Sequence, residues 1–175
     1  MYLINNFGKN IEVYKVTDRT EYVMLFLFFT VIMLNVIAYF IPKRISKIEL
    51  LATTLFASYL QVNTDVILDL KYDLYGYFSK GPDWAGFIYI LGIYPAINVI
   101  FLNYYPYRIQ LNKQAMYILL WSALAMLYEK LFILSGTFYL NGWKHIYSVF
   151  TYPVLYIMLI LFHKAITKYV KESKL

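Results

Sequence analysis

The sequence predicts an all-α integral membrane protein, a bundle of five transmembrane helices forming one membrane domain over residues 1–175. Three observations carry this. Hydrophobic residues make up 61% of the chain and charged residues 15%, more apolar surface than a soluble domain of this length can hide. The apolar residues fall in blocks near 20 residues, the length that crosses ~30 Å of hydrocarbon. Tyrosine occurs 20 times, and its ring suits the membrane–water interface, where the body is buried and the hydroxyl stays wet.

Residues 1–21 read as a polar extracytoplasmic tail. Asp18 and Glu21 stand at capping-box spacing, which marks a helix start. The first helix covers about 22–41, interrupted only by Thr30 and Asn35, and Pro42 with Lys43, Arg44 and Lys47 ends it. This block is longer than a signal h-region and lacks small residues at its end, so it is expected to stay as a helix. The second helix covers about 48–70. Ala52, Thr53, Thr54, Ala57 and Ser58 in its first half let neighbouring helices approach closely. Its second half is polar, with Gln61, Asn63, Asp65 and Asp69. The third helix covers about 84–103 and contains Tyr94-Pro95. The fourth, about 114–134, carries Glu129 and Lys130 near its end. The fifth, about 145–163, contains Tyr152-Pro153, and 164–175 form a basic cytoplasmic tail.

Helices two and three recur, weakly, in helices four and five. Glu129 answers Asp69, Gly136 answers Gly76, and Phe138 answers Phe78. Trp143 then answers Trp84, and Tyr152-Pro153 answers Tyr94-Pro95. Such a duplicated helical hairpin runs in the same direction twice, its copies related by an axis along the membrane normal.

The net charge of +6 sits in the loops between apolar blocks, so it reports topology and not nucleic-acid binding. With the N-terminus outside, Lys43, Arg44, Lys47, Arg108, Lys113 and the tail lysines all fall on the cytoplasmic side. The positive-inside rule therefore predicts a plasma-membrane protein with its N-terminus outside and its C-terminus cytoplasmic.

The absence of cysteine excludes disulfides, thiolate metal sites and a cysteine nucleophile. HExxH, GxSxG, glycine-rich phosphate loops and paired-cysteine spacings are all missing. The expectation is a protein that is not an enzyme and uses no cofactor or metal. His145 and His163 fall at opposite membrane faces, cannot share a metal, and read as interfacial side chains.

The acidic stripe is the strongest chemical signal. Gln61, Asp65 and Asp69 are four apart and share one helical face, which Asp73 would extend if the helix continued. Carboxylates within a bilayer face a bundle interior or a wet cavity. Asp65 and Glu129 therefore belong either to a structural hydrogen-bond network or to a functional site. Pro95 and Pro153 free the carbonyls of Leu91 and Val149, which must find partners or line water. Tyr94 and Asn98 can serve the first and Tyr152 the second; a simple kink is the blander outcome. The sharper outcome is a pocket between the hairpins, open to the outside, formed by Asp65, Asp69, Tyr94, Asn98 and Glu129.

Lys164, Lys168, Lys171 and Lys174 make one face of a helix, and anionic lipid would favour each by ~1 kcal/mol. The functional expectation is a membrane protein that binds or conducts a cation or small polar solute through the pocket. The alternative is a non-catalytic accessory or scaffold subunit of a membrane complex. The partners expected are the lipid bilayer, anionic lipid at the tail, and a membrane-protein partner or a second copy of the chain, without nucleic acid.

Several stretches carry a resemblance: DLYGYF from Asp73 to Phe78, YPAINVIFLNYYP from Tyr94 to Pro106, YLNGWKHIYS from Tyr139 to Ser148, and the segment on to His163-Lys164. They resemble an uncharacterised family of small multi-pass membrane proteins of spore-forming Gram-positive bacteria. The resemblance covers about the C-terminal two thirds of the chain. It implies a bacterial plasma-membrane location and about five helices, and no activity.

Overall fold

The computed structural model describes residues 24–78, 80–81 and 86–173. The expected polar tail, the Asp18–Glu21 cap, Trp84 and Lys174 lie outside the described residues. Five helices are present: α1 Met24–Phe40, α2 Lys47–Asp65, α3 Gly86–Tyr104, α4 Leu111–Ser135 and α5 His145–Glu172. Among the described residues the chain is all-α apart from two three-residue strands, β1 Tyr75–Tyr77 and β2 Phe138–Leu140. α3, α4 and α5 are long and apolar enough to cross a membrane.

Each helix ends for a visible reason. The Lys43 ammonium donates to the carbonyls of Ala38, Tyr39 and Ile41, satisfying the last turn of α1. Ser46 and Glu49 start α2 with a capping box, each side chain accepting from the other's backbone N–H. α2 then widens into one π-helical stretch, Val66–Lys71. Asp73 adopts φ 51°, a left-handed conformation, and turns the chain out of the helix. The acidic stripe therefore stops at Asp69. Gly136, at φ 81°, closes α4 as a left-handed cap.

Pro95 has no N–H and crowds the carbonyl one turn back. The backbone widens to π geometry over Tyr89–Ile93, where the Tyr94 N–H reaches the Tyr89 carbonyl. α1 supplies a further partner: Asn35 Nδ2 donates to the Gly92 carbonyl at 2.7 Å. Tyr94 and Asn98, expected in that role, are engaged elsewhere. Pro153 lies inside α5, which continues through it, and the Tyr152 hydroxyl is drawn to Glu129 instead of a freed carbonyl. α5 also runs past its expected end at 163 to Glu172, so the basic tail prolongs the helix through Lys164, Lys168 and Lys171.

α2 packs on α3 and α5, and α4 packs on α5. The two hairpins meet at one end through β1 and β2, which pair antiparallel with Gly76 opposite Tyr139. We call this the hairpin end and the other the tail end. Gly76 is a strand residue under the Tyr139 ring while Gly136 caps a helix, so the two glycines of the repeat do different work. The turns of the expected repeat therefore differ.

The core has two main parts. At the hairpin end Leu27 of α1, Tyr75, Tyr77, Tyr89, Ile93 and Phe132 cluster. Toward the tail end Phe101, Leu102 and Tyr105 pack on Tyr156, Leu159 and Ile160. α1 lies on α3, with Val31 over Gly92 and Ala38 against Ala96 and Ile100. Phe29, Leu55, Leu91, Leu120, Leu134 and Phe150 point outward and are exposed. An apolar exterior of this extent is a lipid-facing surface in a membrane protein.

Candidate functional site: an aromatic cavity under the strand pair

Asp65 and Glu129, buried at the hairpin end, are each wrapped in donors from their own chain. Asp65 Oδ1 accepts from Gln61 Nε2 at 2.8 Å, one helical turn away, and from the Tyr75 hydroxyl at 2.8 Å. The Tyr77 hydroxyl reaches both Asp65 oxygens at 3.3 and 3.4 Å. β1 is what brings these phenols over α2, because strand residues two apart share a face. Burial and the nearby Asp65 carboxylate push the Tyr75 hydroxyl well above its ordinary pKa, so it stays a donor.

Glu129 forms the second network. Oε2 accepts from Ser148 Oγ at 2.7 Å and from the Tyr152 hydroxyl at 2.6 Å. Oε1 pairs with His145 Nδ1 at 2.9 Å. Trp143 Nε1 donates to Ser148 Oγ at 2.8 Å and steadies that hydroxyl. His145 opens α5 and Ser148 lies in its first turn, so Glu129 also meets the positive end of that helix.

Between α2, α3, α4 and α5, beneath the strand pair, is a cavity of about 200 Å³. Tyr94, Asn98 and Glu129, three residues of the expected pocket, line it. Asp65 and Asp69 instead line an adjoining cavity of about 300 Å³ beside the start of α3. Tyr77 borders both, and its hydroxyl lies 3.5 Å from that of Tyr94. The single pocket expected from sequence is therefore divided by one phenol. Asp65 and Glu129 share no hydrogen-bond partner, since the donors to one are different residues from the donors to the other.

Two polar atoms in the main cavity wall have no partner. Asn98, 1% exposed, donates through Nδ2 to Thr53 and Thr54, while its Oδ1 accepts nothing. The hydroxyl of Tyr89, 3% exposed, is also unpartnered. A buried carbonyl oxygen without a donor is costly.

Sequence reasoning missed Tyr75, Tyr77, His145 and Ser148, because their contacts depend on the strand pairing. It also missed the tail-end group. There Glu49 Oε1 accepts from Thr167 Oγ at 2.6 Å and lies 3.8 Å from His163 Nε2. His163 is 4% exposed and packs on Tyr107; it is not the interfacial residue expected. Two signals could have found this group: the Ser46–Glu49 capping-box spacing, and His163 and Thr167 four apart on one helix face. Lys164, Lys168 and Lys171 are exposed on α5, as expected of a surface face. Among the described residues no group of three or more His, Cys, Asp or Glu is placed to hold a metal.

The fold and its cavity define a helical membrane protein with a walled, aromatic interior. Comparison with family models, with curated proteins and with solved structures finds no match to this chain.

Proposed function

We propose that this chain is a five-span protein of a bacterial plasma membrane that binds or conducts a cation or small polar solute through the cavity between its hairpins. The observation that carries this is a cavity lined by Glu129 and by Asn98, a residue whose buried Oδ1 has no donor. An acceptor left without a donor contributes nothing to folding. α1 and α2 complete the five spans: α1 is apolar but short, and α2 turns its carboxylates inward. The N-terminus lies outside and the C-terminus in the cytoplasm, which places the hairpin end outside and the α5 lysines against anionic lipid. No reaction is assigned, and the pocket residues act by binding.

The test is uptake or binding by the purified protein in liposomes, comparing the parent with Asn98→Leu. Loss of a saturable solute signal in a folded Asn98→Leu variant supports the reading. An identical signal in both removes Asn98 from it.

A second reading has its own observation. Asp65 and Glu129 are already supplied with donors, as expected of groups that knit helices together. In that reading the chain is an accessory or scaffold subunit, docking a membrane-protein partner or a second copy through its apolar exterior. Co-purification of a stoichiometric partner, with no solute effect on stability, would favour it.

A further inference from the structure

We propose that the cavity takes a small organic ammonium ion, held by aromatic faces and the field of Glu129, and not a metal ion coordinated directly. The proposal rests on the cavity being a solute site and names the class of solute. The wall is aromatic on several sides, with Tyr89, Tyr94, Tyr128, Trp143, Tyr152 and Tyr156 among its residues. Faces of tryptophan and tyrosine attract cations through the ring quadrupole, and most strongly where water is excluded. Among the described residues Glu129 is the one acid of the wall, and no lysine or arginine lines it. The charge balance of the wall thus favours a monovalent cation over an anion.

A metal ion fits these walls poorly. Calcium takes six to eight oxygens and magnesium a near-ideal octahedron. Here the two Glu129 oxygens already receive three donors, from His145, Ser148 and Tyr152. An ammonium ion needs no such coordination shell. It needs apolar or aromatic surface, a negative field nearby and at most one or two acceptors. Asn98 of the wall keeps one buried acceptor, Oδ1, without a donor. The volume of about 200 Å³ is roughly an order of magnitude more than the ~10–15 Å³ one water requires, and it accommodates a compact head group.

The experiment is calorimetric titration of the full-length protein in detergent with three probes. They are choline, its neutral carbon isostere 3,3-dimethylbutan-1-ol, and the chlorides of potassium and magnesium. The expected result is saturable choline binding at least ~10-fold tighter than the isostere, the scale of a desolvated cation–π contact. Tyr128→Leu, which keeps bulk and removes the ring, should weaken choline binding several-fold while helical content is kept. Glu129→Gln should do the same, and Tyr128→Leu decides the matter if Glu129→Gln does not fold. Equal binding of choline and isostere, or binding of a metal ion alone, overturns the ammonium assignment and leaves a solute cavity. Tight choline binding unaffected by a folded variant places the ligand elsewhere and also overturns it. No saturable binding of any probe overturns both this inference and the solute-site reading beneath it.

Discussion

The Tyr152 hydroxyl donates to Oε2 of Glu129 at 2.6 Å, joining the Tyr-Pro pair of α5 to the acid of α4. A looser version exists in the other hairpin. There Tyr94, of the α3 Tyr-Pro pair, lies 3.5 Å from the Tyr77 hydroxyl, which reaches Asp65 of α2. Each hairpin thus sets the phenol before its proline toward an acid of its own first helix. One contact is direct and the other passes through a strand residue. Tyr94 and Tyr152 both line the cavity that Asn98 and Glu129 also line.

Glu129 holds three donors in place, so its removal should be felt well beyond one side chain. Glu129→Leu strands His145, Ser148 and Tyr152 and should cost ~2–4 kcal/mol, the sum of several lost bonds and unsatisfied buried groups. Glu129→Gln keeps one acceptor oxygen and should cost less than half as much. Thermal unfolding in detergent reads both. Equal melting of parent and Glu129→Leu would show that the network contributes nothing to stability.

Gly76 tests the strand pair. A Cβ there would collide with the Tyr139 hydroxyl and come within 2.6 Å of its Cζ, so Gly76→Ala must displace the ring. The expected cost is ~1–3 kcal/mol, as for other overpacked sites. In a Tyr139→Ala background the same substitution should be nearly neutral. A cost that persists in the double variant would mean that the ring is not what Gly76 accommodates.

The helices were legible because hydrophobic blocks of membrane length are a signal carried within each segment. α4 was expected at 114–134 and runs Leu111–Ser135. Three residues of β1 were not legible. Tyr75-Gly76-Tyr77 is too short for a periodic pattern, and its partner lies more than sixty positions on, at Phe138–Leu140. Once that pairing is missed, Tyr75 and Tyr77 cannot be placed on Asp65, and the dividing phenol is invisible. The π-helical turns were hidden for a related reason: Pro95 announces a disturbed ladder, but the Asn35 amide that meets Gly92 comes from another helix. Asn98 is buried in α3, where its amide donates to Thr53 and Thr54 of α2.

Orientation can be read chemically, because the chain has no cysteine to mask. Lys144, exposed just before α5, and Ser173, exposed just after it, bracket that helix. At ~1.5 Å per residue its 28 residues span ~42 Å, enough to cross the hydrocarbon. In intact cells, a cysteine at 144 should react with an impermeant maleimide and one at 173 only after permeabilisation. The reverse pattern would invert the orientation, and labelling of both from outside would mean that α5 does not cross.

The last prediction concerns the tail end, where Glu49 does two jobs. One oxygen accepts from the Ser46 backbone at 2.8 Å and completes the cap of α2; the other accepts from Thr167 of α5 at 2.6 Å. Loss of a cap costs ~1 kcal/mol, and a stranded buried hydroxyl ~1–3 kcal/mol more. Glu49→Leu should therefore destabilise by ~2–4 kcal/mol, and Thr167→Val by less, since it leaves the cap intact. If the two side chains act as one contact between α2 and α5, Thr167→Val should cost little once Glu49 is already Leu. A double-mutant cycle should then give a coupling of ~1 kcal/mol or more. Additive costs would show that Glu49 serves only its own helix. In that case the joint between α2 and α5 would rest on apolar packing alone, chiefly the stacked rings of Phe56 and Phe162, whose centroids lie 4.0 Å apart.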